Sequence, residues 1–143
     1  MIIIGCDHAG FELKEKIKKY LINKNEYAVV DVGAFKLDNE DNFSNYVNLM
    51  LKCFDENKSS KIIAVCGSGV GMSIGLNKHK GVFCVLGYSE EEVKTARLHN
   101  DVNALAIGGR VTSFSKAKKM IEVFLTTEHL NGKYKKRMEE IDK

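Results

Sequence analysis

Five short runs rich in aliphatic and β-branched residues punctuate the chain: Ile2 to Gly5, Ala28 to Val32, Ile62 to Val65, Val82 to Leu86 and Ala104 to Ile107. Each is too short for a helix and is apolar at nearly every position, not at alternate ones. Strands covered on both faces of a parallel sheet read this way. Between the runs, apolar residues recur every three or four positions: Leu13, Ile17, Tyr20 and Leu21; Val47, Met50, Leu51 and Phe54; Val93 and Ala96; Ala117, Met120, Ile121 and Phe124. That spacing lines up one face of a helix. Strand and helix therefore alternate. The pattern predicts an α/β three-layer sandwich, a doubly wound five-stranded parallel sheet of Rossmann or flavodoxin-like type with right-handed crossovers and helices on both faces. A last helix from Lys133 to Lys143 follows the turn residues Asn131-Gly132 and carries Arg137 one turn after Lys133.

At 143 residues the chain suits a single domain, and its 44% hydrophobic and 29% charged residues are those of an ordinary globular protein. A net charge of +3, with 22 basic residues dispersed among 19 acidic ones, suits small anionic ligands and falls far short of a nucleic-acid footprint. Met1-Ile2-Ile3-Ile4 reaches Asp7 without the basic start and apolar length of a signal peptide, so a cytoplasmic location is expected. The four cysteines, Cys6, Cys53, Cys66 and Cys84, form no CxxC pair and sit in or beside apolar segments, as reduced thiols do.

The candidate chemistry lies where strands end. Val65-Cys66-Gly67-Ser68-Gly69-Val70-Gly71-Met72-Ser73 reads as a strand closing on a thiol, a glycine-rich loop and a helix start. Glycines allow close backbone approach and turn N–H groups toward an anion. Met72 breaks the GxGxxG dinucleotide pattern and no Gly-Lys-Ser/Thr follows, so the segment is read as an oxyanion-binding loop of another kind. A helix N-terminus beside Cys66 favours thiolate and makes it a candidate base; Cys6, Cys53 and Cys84 read as small buried hydrophobes. Asp7 and His8 follow the first strand, where Asp7 also suits a helix N-cap. Gly108-Gly109-Arg110 follows the fifth, so three polar clusters share one sheet edge. Arg97-Leu98-His99-Asn100-Asp101-Val102-Asn103 closes a helix, where His99 also suits a C-terminal cap.

Together Gly5-Cys6-Asp7-His8-Ala9-Gly10, the Cys66–Ser73 loop with Asn77-Lys78, and Arg97–Asn103 with Gly108-Gly109-Arg110 closely resemble the type B ribose-5-phosphate isomerases, a family that also holds allose- and galactose-phosphate isomerases. The resemblance spans nearly the whole chain. It implies a homodimer, sometimes paired into a tetramer, with active sites at the subunit interface, and an aldose-ketose isomerisation in the pentose phosphate pathway that needs no metal and no organic cofactor. Position by position it implies that Cys66 moves a proton between C1 and C2, and that Ser68 with the amides of Gly67, Gly69, Val70 and Gly71 holds a cis-enediolate. His99 and Asp7 would open the sugar ring. His8, Arg110, Lys133 and Arg137 would bind phosphate, the last helix (about 133–142) completing that site, and Asn100 would contact the sugar from the partner subunit.

Two departures stand out. Asn42-Phe43-Ser44 occupies the place of the family's usual Asp-Tyr-Pro, removing a carboxylate and a phenol from the sugar pocket, with Asp41 and Tyr46 the neighbours able to replace them. Lys133 stands where arginine is usual, giving a point charge instead of a bidentate fork. The alternatives to ribose 5-phosphate isomerisation are another aldose phosphate, such as allose 6-phosphate, and a non-catalytic sugar-phosphate-binding module on the same fold.

Overall fold

The computed structural model describes residues 1–142. The strands are β1 (Ile2–Cys6), β2 (Val29–Asp31), β3 (Lys61–Cys66), β4 (Cys84–Leu86) and β5 (Ala104–Gly108). The helices are α1 (Phe11–Lys24), α2 (Phe43–Glu56), α3 (Val70–Asn77), α4 (Glu90–Asn100), α5 (Phe114–Thr126) and α6 (Lys133–Ile141). Lys143, the expected end of the last helix, lies outside the described residues. Among those residues no helix is long and apolar enough to cross a membrane.

All five strands are parallel in the order β2-β1-β3-β5-β4. The three central strands are buried almost throughout, as their unbroken apolar runs predict. The two outer strands depart from that expectation: β2 and β4 are only three residues long and half-buried, because each pairs on one side alone. The outer edge of β4 is covered locally by Asn77 at the end of α3. Its side-chain amide donates to the Cys84 carbonyl at 2.9 Å and accepts from the Cys84 N–H at 2.7 Å.

Alternation along the strands sorts the core into two layers. Ile2, Ile4, Cys6, Ile63, Val65, Leu105 and Ile107 pack with Leu13, Ile17 and Leu21 of α1 and Met120, Ile121 and Phe124 of α5. Ile3, Ile62, Ala64, Cys66, Ala104 and Ala106 pack on the other face with Met50 and Phe54 of α2 and Met72 and Leu76 of α3. Cys6 and Cys66 both end strands, yet they project to opposite faces. Burial pushes the Cys6 thiol up to about 12 and leaves it a structural hydrophobe. Burial acts likewise on Cys84, also to about 12.

This strand order places the chemistry. β1 connects outward to β2 while β3 connects away on its other side, which opens a crevice between the carboxyl ends of β1 and β3 where doubly wound sheets bind ligands. β5 lies against β3, with Gly108 in register with Cys66, so the residues after β5 reach the same crevice.

Candidate active site

The crevice is built from three turns. After β1, Asp7 caps the short turn His8–Gly10, its Oδ1 accepting the N–H groups of Ala9 at 3.0 Å and Gly10 at 3.2 Å. The N-cap role that its position suggested is therefore filled, and it holds a nearly buried carboxylate at the crevice. Gly10 packs so closely on β3 that a Cβ there would stand 2.3 Å from the Val65 carbonyl oxygen, which is why this turn tolerates no side chain.

After β3 comes the glycine loop. Gly69 adopts φ +81°, a left-handed conformation natural to glycine, and its N–H donates to Cys66 Sγ at 3.2 Å. Cys66 is thus nearly buried at the base of the loop with a backbone donor on its sulfur, in the first turn before α3. Ser68 is exposed, and its Oγ accepts the Val70 N–H at 3.2 Å. Gly71 lies under the Phe43 ring, whose Cζ would be 2.9 Å from an added Cβ. Phe43, one of the residues replacing the usual family motif, therefore packs against the loop as an apolar lid on its side.

After β5, the Gly109 N–H donates to the Cys66 carbonyl at 2.6 Å and the Arg110 N–H to the Gly67 carbonyl at 3.1 Å, locking the two loops together. The Arg110 guanidinium lies over Gly67, 3.1 Å from where a Cβ would stand. A positive charge, a glycine loop and a thiol are thereby brought to one crevice.

His8 completes this half of the site in a way the sequence left open. Asp41 Oδ1 accepts the His8 backbone N–H at 2.9 Å and lies 2.8 Å from His8 Nδ1, while Asp41 Oδ2 accepts the Tyr46 hydroxyl at 3.1 Å. The hydrogen bond to Asp41 raises the His8 pKa, with Asp7 adding to it and burial and Arg110 opposing it. Burial works against the Asp41 carboxylate, but the bonds from His8 and Tyr46 outweigh it and hold its pKa below the ordinary carboxylate value. Burial, helped by Asp41, pushes the Tyr46 phenol up to about 12 and keeps it a donor. Ligand atoms of Asp7, His8 and Asp41 lie within 4.8 Å of one another, the composition of a small metal site. The oxygens facing His8 and the 7–10 turn already accept N–H donors, however, so the cluster is explained by its own hydrogen bonds.

The other expected site residues sit elsewhere. α4 runs against the strands and ends at Asn100, just before β5 begins, which puts His99 and Asn100 at the amino edge of the sheet. α6 lies at that edge too: Asp142 Oδ1 accepts the Gly81 N–H at 3.0 Å, and the preceding Leu130 N–H donates to the Leu98 carbonyl at 3.0 Å. His99 stacks face to face on Tyr134, with ring centroids 4.4 Å apart and planes 2° from parallel. Lys133 and Arg137 stand 5.3 and 5.6 Å from the same ring, and Asn100 Nδ2 lies 3.4 Å from Met138 Sδ. A five-residue strand is about 17 Å long, so one chain holds two separated half-sites. Asp7, His8, the Cys66 loop and Arg110 form the first; His99, Asn100, Lys133 and Arg137 form the second.

Two supporting residues lie within readable segments but carried no signal of their own. Arg97 is nearly buried and donates to the carbonyls of Thr127 at 3.1 Å and Val102 at 2.6 Å and to Asp101 at 2.9 Å, tying down the turn that bears His99. Tyr134 sits beside Lys133 in sequence, yet its partner is on another helix.

Comparison with known proteins agrees with this architecture. The sequence profile of the ribose/galactose isomerase family matches residues 2–141. Ribose-5-phosphate isomerase B of Escherichia coli strain K12 is 32% identical over 140 residues, 98% of this chain and 93% of that protein. The crystal structure of a ribose 5-phosphate isomerase from Thermotoga maritima superposes with a TM-score of 0.93 at 33% identity, covering 99% of this chain and 96% of that one. Ribose-5-phosphate isomerase B from Mycoplasma genitalium, solved with bound ribulose-5-phosphate, gives a TM-score of 0.93 at 32% identity, covering 98% and 92%. A profile match from the second residue to the last turn of α6, on a fold that superposes on such structures over nearly its whole length, establishes that this chain belongs to the ribose/galactose isomerase family.

Proposed function

We propose that the chain is an aldose-ketose isomerase that interconverts ribose 5-phosphate and ribulose 5-phosphate through a cis-enediol, using its own side chains. The observation that carries this reading is Cys66 at the base of the glycine loop, with the Gly69 N–H on its sulfur. Cys66 takes the proton from C2 of the ring-opened aldose and returns it to C1. The charge that develops on the oxygens in between is met by the Ser68 hydroxyl and by loop amides, of which those of Gly69 and Val70 must first leave Cys66 Sγ and Ser68 Oγ; one such donor contributes about 3 kcal/mol to the transition state. Ring opening precedes this step and falls to His99 with Asp7. His8, Arg110, Lys133 and Arg137 hold the phosphate and position the sugar away from the reacting carbons.

These roles need both half-sites at once, and one chain holds them at opposite sheet edges. The working unit is therefore a homodimer in which the amino edge of one copy, with His99, Asn100, Lys133 and Arg137, meets the carboxyl edge of the other. α6 is then the end of a single folded domain and the donor of phosphate contacts to its neighbour.

The test is complementation. Cys66→Ala and His99→Asn homodimers should each lack ribose 5-phosphate isomerase activity in the presence of a chelator. Unfolded together and refolded at equal amounts, they should recover about a quarter of wild-type activity, since half the dimers are mixed and each mixed dimer has one intact site. No recovery from two well-folded inactive variants would place both residues in one chain's site, and activity kept by either homodimer would put its residue outside the mechanism. Wild-type protein turning over allose 6-phosphate but not ribose 5-phosphate would move the substrate, and binding without turnover of either would leave a binding module.

A further inference from the structure

The function above rests on Cys66, His99 and the cations; it gives no role to the stretch between β2 and α2, where the chain departs from the family motif. The usual carboxylate at position 42 is an asparagine here, yet Asp41 one residue earlier is fully engaged. Its Oδ1 meets both the backbone N–H and Nδ1 of His8, at 2.9 and 2.8 Å, and its Oδ2 takes the Tyr46 hydroxyl at 3.1 Å. An imidazole gripped at the backbone and at one ring nitrogen has its rotamer and its tautomer decided: Nδ1 carries a proton toward the carboxylate, and Nε2 is the atom left to meet a ligand. Arg110 belongs to the same crevice: a Cβ on Gly67 would stand 3.1 Å from its Nη1 and 3.4 Å from the Cβ of Ala9, the residue next to His8.

We propose that Asp41, braced by Tyr46, is a positioning residue that presents His8 Nε2 to the substrate phosphate and keeps the ring cationic for that contact. The inference deepens the isomerase reading and rests on the phosphate lying between His8 and Arg110. Two facts support the cationic form: the Asp41 carboxylate is held below its ordinary pKa, and the His8 ring is held above its own. The charged and titratable groups around the ring are Asp7 from the turn after β1, Asp41 with Tyr46 from the β2–α2 stretch and α2, and Arg110 after β5. In the proposed dimer Lys133 and Arg137 of the second copy join them. Asp7 reinforces the effect of Asp41, and the cations oppose it.

A folded pKa above the ordinary value means that the cation persists to higher pH and is lost as pH rises through that value. Phosphosugar affinity should follow. In the wild type the KM for ribose 5-phosphate should begin to rise at a higher pH than in Asp41→Asn, where the rise should begin near the ordinary histidine value; the two curves should part above that value, by up to about tenfold for each pKa unit lost, and approach each other at pH 6. Tyr46→Phe should move the curve the same way and less far. A loss of structural integrity would lower kcat at every pH and leave the shape of the KM curve unchanged.

An NMR titration of the histidine rings, with His8 assigned by His8→Asn and inorganic phosphate as the probe, reads the same device without turnover. The expected result is a lower His8 pKa in Asp41→Asn and a phosphate-induced shift of its Nε2 signal in the wild type. An unchanged His8 pKa in Asp41→Asn overturns the proposal at the Asp41–His8 contact. A lowered pKa with no phosphate response and no change in the KM curve overturns it at the phosphate, and removes His8 from the phosphate group of the isomerase reading while leaving Cys66 and His99 untouched.

Discussion

The Gly69 N–H donates to Cys66 Sγ, and φ +81° at Gly69 then turns the chain from that contact into α3. A Cβ at that position would approach Leu86 Cδ1 to 2.7 Å and the Ile107 carbonyl carbon to 3.0 Å. Gly69→Ala should therefore cost about 2 kcal/mol in urea unfolding, from the left-handed backbone and the clash together, and should lower kcat as the donor leaves the sulfur. Cys66→Ala removes the proposed base and should reduce kcat about a thousandfold, the range a positioned base contributes, while calorimetry still detects phosphosugar binding. Near-normal turnover in that variant would take the thiol out of the mechanism.

Between elements, the strongest constraint on the stretch that carries Asp41 is a buried lysine. Lys14 of α1 has no exposed surface, and its Nζ donates to the Ala34 carbonyl at 2.7 Å and to Asp31 at 2.9 Å, where Lys18 also bonds. Lys14→Met leaves Asp31 and the Ala34 carbonyl short of a donor and should destabilise the fold by about 3 kcal/mol in urea. Burial disfavours the Asp31 carboxylate, but the bonds from Lys14, the Gly33 N–H and Lys18 prevail and its pKa is lowered. Its contribution to stability is thus complete above the ordinary aspartate value and is lost as pH falls below about 4; melting temperatures across that range should fall less steeply in Lys14→Met than in the wild type. The periodicity of α1 gave no hint of this, because a lysine among Leu13, Ile17 and Leu21 reads as a solvated position. The strands were legible because aliphatic runs have few other uses, and the glycine loop because three glycines behind a cysteine exceed what a turn requires. Asp41 was legible only as a neighbour of a missing motif: its value depends on the 33-residue reach to His8, and no local spacing encodes that.

At the scale of the whole molecule, strand order decides where chemistry collects. Because β5 lies inside β4, Arg110 falls beside Cys66, while the helix between those strands carries His99 to the other edge. The motif around His99 was plain in the sequence, but its separation from Cys66 follows from topology. Catalysis that joins the two edges across copies should weaken on dilution: specific activity should fall once chain concentration drops below the dimer's dissociation constant, in step with the loss of dimer by light scattering. Activity independent of dilution while the protein becomes monomeric would refute the shared site.

An enzyme with the shared site proposed above must meet its own kind to work, and for a parallel sheet the hazard of that meeting is an outer strand with unclaimed backbone groups. Asn77 claims both of those at Cys84 with a side chain shaped like a peptide bond. It acts as a false neighbour that a growing fibril would have to displace, leaving the shared site proposed above as the way for copies to meet without extending one another's sheets.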